Sequence, residues 1–167
     1  MNKSSNQRKN LPRRLRRLRF VWARDPNPRY YLTLCVEGRL CVLANKLMND
    51  RMVSFLLDSP HRYQWWPTQY MMMPDHLHLI AHQGHNPIAL GQWIKALKAV
   101  TGQRHFKWEE GFFDHLLRSD ESEAKKWEYI RQNPVRAGLV ERPEDWPYGG
   151  QIVYGENGAK ILRGGKR

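Results

Sequence analysis

Cysteine and long hydrophobic runs are both scarce in this chain. Only two cysteines, Cys35 and Cys41, occur among 167 residues, and they do not form a Cys-x-x-Cys pattern. So sparse a pair predicts reduced core thiols and excludes a disulfide framework or a zinc ribbon. No apolar run approaches the ~20 residues that cross a bilayer, and no apolar segment follows the basic N-terminus as in a signal peptide. We therefore expect a cytoplasmic protein without a membrane partner.

Acidic residues are also few relative to basic ones. The chain has 16 Asp and Glu against 28 Lys and Arg, so its net charge is +12. Such an excess favours phosphate backbones as partners, although an anionic membrane or a ribosome would also attract it. Aromatic residues make up 11% of the chain, and flat rings can stack on unpaired bases. Most of these rings are nevertheless expected in the core.

The composition predicts one globular domain with a basic segment at each end. Residues 1–19 are expected to be a flexible basic arm, residues 20–154 the folded domain, and residues 155–167 a mobile basic tail. The arm holds five closely spaced arginines that we predict to contact DNA: Arg13, Arg14, Arg16, Arg17 and Arg19.

The hydrophobic pattern predicts alternating strands and helices in the order β-α-β-β-α-β-α. The predicted segments are 29–36, 44–57, 63–73, 76–82, 87–104, 111–118 and a last helix from 120 to before Pro134. The first six match an α+β, ferredoxin-like βαββαβ sandwich with one sheet face free, and the additional helix is C-terminal. Three basic residues lie off the apolar stripe of the second helix and are further candidate DNA contacts: Lys95, Lys98 and Arg104.

A His-x-His motif within the predicted strand 76–82 is the most specific local feature. Side chains two apart on a strand share a face, so His76 and His78 should point to the free face together. Two adjacent imidazoles can bind one metal ion, although such a pair is often only a surface feature. His82 has the same parity but lies about 13 Å along an extended strand from His78, too far to share the ion.

The second feature is Tyr129 on the last predicted helix. Tyr129 and Asn133 are one helical turn apart, and the Asn133 carbonyl oxygen would suit Mg²⁺ or Mn²⁺ as a third ligand. Trp127 and Ile130 are expected to be buried. By itself the pattern also fits a buried tyrosine followed by a capping asparagine before Pro134.

Together the two features fit a single reaction. A tyrosine hydroxyl is a poor nucleophile at its free pKa of about 10. A metal beside the attacked phosphodiester would stabilise the developing charge, and the product would be a phosphotyrosine joined to DNA. This chemistry requires single-stranded substrate.

Three segments of the chain, 74–80, 111–115 and 129–140, resemble the REP-associated tyrosine transposases, which are HUH-type single-tyrosine transposases. Trp146-Pro147-Tyr148 is also similar to the family, whereas Gly149 and Gly150 stand where it usually has small hydroxyl residues. The resemblance implies a ferredoxin-like core, His76 and His78 as metal ligands, and Tyr129 as the nucleophile. It also implies Asn133 at the third ligand position and recognition of palindromic hairpins, with cleavage of single-stranded DNA beside them.

Two alternatives to a DNA strand transferase remain open. A non-catalytic module could bind hairpin DNA on the same fold, although the intact His76, His78, Tyr129 and Asn133 argue against it. An RNA-binding ferredoxin-like domain would share the fold and the charge, but it should carry paired aromatics in an RNP pattern, which the aromatic run 63–70 matches only loosely. The oligomeric state, monomer or homodimer, is not determined by the sequence.

Overall fold

The computed structural model describes residues 28–102, 106–117, 123–156 and 158–163. In chain order its strands are β1 (Arg29–Cys35), β2 (Trp65–Met72), β3 (His76–Gln83), β4 (Phe113–Leu117), β5 (Gly149–Gly155) and β6 (Gly158–Leu162), and its α-helices are α1 (Lys46–Tyr63), α2 (Leu90–Gly102), α3 (Glu123–Arg131) and α4 (Asn133–Arg136).

The strands form one antiparallel sheet in the order β4-β1-β3-β2-β5-β6. The first four strands of that order, with α1 and α2 as connections, have the βαββαβ topology of a ferredoxin-like sandwich. The predicted α+β fold class is therefore confirmed.

A tight hairpin joins β2 to β3. The Met73 backbone N–H donates to the His76 carbonyl oxygen at 2.8 Å, which closes the turn around Pro74 and Asp75. Proline suits the first central position of such a turn because its φ is already restricted. The turn sets the start of β3, and it thereby determines which residues of the His-x-His segment face each side of the sheet.

One face of the sheet packs on α1 and α2 and forms the main core. Asn45 begins α1 by accepting a hydrogen bond from the Met48 backbone N–H, as an N-cap residue does. Trp65 of β2 stacks on Trp93 of α2 with ring centroids 5.0 Å apart. The core also contains fully buried side chains from both layers: Leu32, Leu34, Leu77, Leu79, Met52, Leu56 and Leu97.

The opposite face, predicted to be free, is partly covered by α3. Ile130 of α3 is only 1% exposed and packs against Tyr31, Met71 and Ile80 of the sheet. At the N-terminal end of α3, Glu123 lies 3.2 Å from the His82 imidazole. An amphipathic helix buries its apolar side wherever a hydrophobic face is available, and the ferredoxin-like sheet provides one here.

The last predicted helix is interrupted. Helix α3 ends at Arg131, Gln132 is a turn residue, and α4 begins at Asn133 with Pro134 in its first turn. Proline lacks an N–H and disrupts a helix interior, but it is well suited to the first turn of a new helix. Tyr129 and Asn133 therefore lie on two short helices, and the expectation that they share one continuous helix was wrong.

The segment from Gly155, expected as a mobile basic tail, contains strand β6. Residues 158–162 pair with β5, which itself extends the sheet beyond β2. Gly150 is buried, and a Cβ there would lie 2.8 Å from the Ile161 side chain, so the glycine permits this close pairing. The polar, glycine-rich composition of this segment did not predict a strand, because β6 is stabilised by pairing with β5.

Several predicted segments fall outside the described residues. These include the arm 1–19 with its five arginines, Arg104, and residues 164–167 at the C-terminus. Across the part of the chain that is described, none of the helices combines the length and the apolar character needed to cross a membrane.

Candidate active site

The predicted juxtaposition of two imidazoles is confirmed. His76 and His78 occupy the first and third positions of β3, on the face that α3 partly covers. Their Nε2 atoms lie 3.1 Å apart, and the ring planes are nearly perpendicular, at 84°. Both nitrogens therefore converge on one small region at the β2–β3 hairpin end of the sheet.

Asp75 and Arg39 orient His76. The Nδ1 atom of His76 lies 2.6 Å from an oxygen of the Asp75 carboxylate, whose other oxygen lies 2.7 Å from the Arg39 Nε. Hydrogen bonds with His76 and the charges of His76 and Arg39 outweigh the effect of burial, so the pKa of Asp75 is lowered. An ionised carboxylate holds the proton of His76 on Nδ1 and leaves Nε2 free to accept or to ligate.

His78 is held from the other side by hydroxyl groups of β1. Its Nδ1 lies 2.9 Å from the Tyr31 hydroxyl and 3.0 Å from Thr33 Oγ1, and Thr33 is its partner in the register of β1 and β3. His78 is only 8% exposed. Burial, followed by the positive charges of His76, Arg136 and Arg39, lowers its pKa to about 3. The ring is therefore neutral at physiological pH, which is the form that binds metals.

Helix α3 carries Tyr129 to the same face of the sheet. Ile130 anchors the helix, while the Tyr129 side chain is 59% exposed. Burial raises the pKa of the Tyr31 hydroxyl, and its interaction with Tyr129 raises it further. Because Tyr31 also contacts His78, the tyrosine expected as nucleophile lies within electrostatic range of the residues around the histidine pair.

Asn133 is half-buried at the start of α4 and is under-satisfied. Its Oδ1 accepts a hydrogen bond from Arg136, and its buried Nδ2 has no hydrogen-bond partner among the described residues. A buried polar atom without a partner is uncommon in folded proteins and often indicates a functional position. The role of Asn133 as a third ligand remains a prediction.

The histidine geometry fits a shared divalent ion. If two nitrogen ligands each lie about 2.1 Å from one ion, and the angle between them at the ion is about 90–109°, the nitrogens lie about 3.0–3.4 Å apart. The observed distance of 3.1 Å between the two Nε2 atoms falls in this range. The other ring nitrogen of each histidine has an oxygen partner, as is usual for metal-ligating imidazoles. Among the residues that can be assessed, no cluster of three or more His, Cys, Asp or Glu side chains occurs, so a complete site would need amide, water or phosphate oxygens.

The basic residues predicted on α2 lie on the other side of the sheet from the histidine pair. Helix α2 packs through Trp93 and Leu97 on the main core face. Lys95 is exposed, whereas the Lys98 ammonium donates to the carbonyl oxygens of Glu109, at 2.5 Å, and Gly111, at 2.9 Å. Lys98 thus stabilises the loop before β4, and a contact of Lys95 or Lys98 with DNA would lie away from the site.

Sequence reasoning did not assign the residues that surround the predicted ones. Asp75 had a local signal, because it directly precedes His76 in the motif. Tyr31 and Thr33 had none, since only the pairing of β1 with β3 brings them beside His78. Arg136 was not assigned either, although it follows Tyr129 by seven residues, because exposed basic side chains on a helix usually point to solvent.

This geometry defines a class of α+β proteins. Its members have a ferredoxin-like sheet, a convergent histidine pair and a tyrosine on an adjacent helix. Comparison with known proteins agrees with it. The chain is 28% identical over 136 residues to a Haemophilus influenzae protein provisionally assigned as a REP-associated tyrosine transposase, with 71% of this chain and 77% of that protein covered. It is 24% identical over 116 residues to the REP-associated tyrosine transposase of Escherichia coli K12, with 67% of each chain covered.

A solved structure has the same fold. It is that of a REP-associated tyrosine transposase bound to a REP hairpin, with a TM-score of 0.60, 19% sequence identity, and coverage of 73% of this chain and 75% of that one. No protein-family model matches the chain. The chain is thus similar in sequence to two REP-associated tyrosine transposases and shares the fold of a solved one.

Proposed function

We propose that this protein is a transposase-like endonuclease and strand transferase for single-stranded DNA, acting beside palindromic hairpins through a covalent phosphotyrosine intermediate. The observation that carries the proposal is the convergence of the His76 and His78 Nε2 atoms, 3.1 Å apart, beside the helix that bears Tyr129. The similarity to REP-associated tyrosine transposases, one of them solved with a REP hairpin, supports hairpin DNA as the substrate.

In the proposed reaction, the Tyr129 oxygen forms a bond to phosphorus while the bond from phosphorus to the leaving sugar oxygen breaks. The phenol loses its proton, and the leaving oxygen gains one and becomes a free hydroxyl end. The DNA remains attached to the protein through the phosphotyrosine, so the ester can later be transferred to another hydroxyl. The exposure of the Tyr129 side chain gives a bulky strand access to its hydroxyl.

His76 and His78, with Asn133, would hold a divalent metal such as Mg²⁺ or Mn²⁺. The bound ion would supply positive charge to the phosphate and leaving-group oxygens. Burial keeps His78 neutral, and Asp75 orients the His76 ring, so the Nε2 atoms of both imidazoles already face the shared position. Cytoplasmic location and a monomeric or dimeric state remain predictions.

The test is to incubate the protein with labelled single-stranded DNA that carries a hairpin, and to look for a denaturation-resistant protein–DNA adduct. We expect an adduct with the wild type in Mg²⁺ or Mn²⁺, and none in chelator. Tyr129→Phe should form no adduct while retaining hairpin binding, because the ring remains and only the hydroxyl is lost. An adduct with the Phe variant would assign the nucleophile elsewhere, and hairpin binding by the wild type without any adduct would favour a non-catalytic module.

A further inference from the structure

Arg136 contacts the residue proposed as nucleophile in two ways. Its Nη2 donates to the Tyr129 carbonyl oxygen at 2.7 Å, and its guanidinium carbon lies 4.2 Å from the centroid of the Tyr129 ring. A cation at this distance from an aromatic face is held by the ring quadrupole. The Tyr129 side chain, although exposed, is therefore fixed from one side.

The spacing of the two residues allows these contacts. Arg136 follows Tyr129 by seven residues, about two helical turns, so both positions lie on the same side of the helical path. The backbone of Gln132, between α3 and α4, stays in the right-handed helical region, and the long Arg136 side chain extends back to the end of α3. A basic group beside the last carbonyls of a helix is also electrostatically favourable.

The guanidinium retains donors for a ligand. Its hydrogen bonds to Tyr129 and Asn133 both come from Nη2. In the portion of the chain that is described, no protein group accepts a hydrogen bond from Nε or Nη1, and Arg136 is exposed.

We propose that Arg136 is a further catalytic residue: its Nη2 holds Tyr129, and the N–H donors on its Nε and Nη1 bind the phosphodiester that Tyr129 attacks. This inference rests on the function proposed above. Arginine suits the task because its guanidinium carries five N–H donors, can contact several groups at once, and remains charged at any physiological pH. The phosphate would then lie between a fixed nucleophile and a fixed positive charge, which reduces the reorganisation needed for attack.

The experiment compares Arg136→Met, Arg136→Lys and Arg142→Met in full-length protein. Arg142 is a matched control: it is an exposed arginine six residues away whose hydrogen bonds go to Asp145. For each variant, the affinity for one hairpin substrate and the single-turnover rate of adduct formation at saturating DNA are measured. Thermal unfolding of each variant verifies that the domain is folded.

We expect Arg136→Met to lower the saturated rate about 100-fold, as is typical when one preorganised donor to a developing oxyanion is removed, with affinity changed less than threefold. Arg136→Lys should recover part of the rate, because it restores the charge but not the several donors of the guanidinium. A further variant, Arg136→Ala, should be partly rescued by added guanidinium ion, and Arg142→Met should match the wild type.

Three results would overturn the inference. The first is a saturated rate for Arg136→Met equal to that of Arg142→Met. The second is a loss confined to affinity, which would make Arg136 a general DNA contact. The third is a lowered unfolding temperature with no rescue by lysine or guanidinium, which would indicate a purely structural helix contact. A wild type that forms no adduct would instead refute the proposed function itself.

Discussion

The two histidines of the pair have the same proposed role but different surroundings. His76 is partly exposed and interacts with Asp75 at the β2–β3 hairpin end of the sheet, whereas His78 is buried and contacts two hydroxyl groups. Truncation to alanine should therefore leave a larger cavity at His78 than at His76. This difference allows loss of function to be separated from loss of stability at neighbouring positions.

We predict that His76→Ala and His78→Ala both abolish adduct formation, but that only His78→Ala lowers the free energy of unfolding substantially. Removing the buried ring leaves a cavity and takes one hydrogen-bond partner from each of the Tyr31 and Thr33 hydroxyls, at a cost of about 1–3 kcal/mol, while His76→Ala should cost less than about 1 kcal/mol. Urea unfolding of the two variants checks this. Equal destabilisation would mean that the His78 environment is not as tightly packed as described.

Asn133→Ala should reduce adduct formation less than either histidine substitution. An amide carbonyl is a weaker ligand than an imidazole, and water can replace one oxygen ligand of Mg²⁺. Single-turnover rates over a range of Mg²⁺ and Mn²⁺ concentrations measure the ranking. A loss from Asn133→Ala as large as that from the histidine variants would contradict it.

Among the secondary-structure elements, α3 is attached to the sheet at both ends. Ile130 anchors its C-terminal half in the smaller hydrophobic cluster, and Glu123 anchors its start. The Glu123 carboxylate accepts a hydrogen bond from Thr68, and its other oxygen lies near His82 and Arg29. The helix that carries Tyr129 is thus held by one apolar contact and one ionic contact.

The hydrogen bond with His82, together with those from Gln69 and Thr68, lowers the pKa of Glu123 to about 2, against 4.5 for an ordinary glutamate. A depressed folded-state pKa stabilises the protein above about pH 4.5, and the contribution is lost as the pH falls toward 2. We predict that Glu123→Gln lowers the free energy of unfolding at pH 7 by on the order of 2 kcal/mol. The variant should also lose less of this free energy than the wild type as the pH falls from about 4.5 toward 2.

Hydrogen exchange of the α3 backbone amides, together with unfolding at pH 7 and at pH 3, tests the role of Glu123. Glu128→Gln is the control, because Glu128 lies on the same helix but is exposed, and its hydrogen-bond partners among the described residues are its helix neighbours Arg131 and Gln132. Faster exchange in α3 for Glu123→Gln alone is the expected outcome. Equal effects of the two substitutions would show that Glu123 does not anchor the helix.

The β5–β6 hairpin depends on close packing at Gly150. A Cβ at this position would lie 2.8 Å from Ile161 Cγ2 and 2.9 Å from the Leu162 carbonyl oxygen. We predict that Gly150→Ser lowers the free energy of unfolding by about 1–3 kcal/mol, as overpacking does in other interiors. Gly155→Ser in the same hairpin is the control, because a Cβ there meets no atom within 4 Å. Similar unfolding midpoints for both variants would refute the steric explanation.

On the scale of the whole molecule, the positive charge indicates how the protein approaches its substrate. The net charge is +12, and five arginines lie within residues 13–19, outside the described part of the chain. The affinity of an arm for phosphates depends strongly on salt, because each contact releases counterions. A flexible arm can also enter a minor groove and add some sequence preference.

Deleting residues 1–19 should weaken hairpin binding and leave residual cleavage at high DNA concentration. If three to five arginines contact phosphates, the slope of log affinity against log salt should fall by roughly 2–4. Affinities of full-length and truncated protein for one hairpin at several salt concentrations measure this slope. Two parallel lines would mean that the arm makes no phosphate contact.

The sequence by itself was sufficient for the features that depend on local periodicity. The βαββαβ order follows from alternating strand and helix patterns, and the shared direction of His76 and His78 follows from the two-residue repeat of a strand. The turn at Pro74 and the burial of Ile130 have equally local signals. The net positive charge is a sum over the chain and does not depend on the fold.

Only the tertiary structure decided which residues surround these groups. The pairing of β1 with β3 brings Tyr31 and Thr33 to His78, although they are 47 and 45 residues away. The packing of the Arg136 side chain places its guanidinium against Tyr129, and β6 forms because β5 provides a partner. Such contacts join residues that are distant in sequence or separated by a turn, and their energies depend on packing that local propensity does not encode.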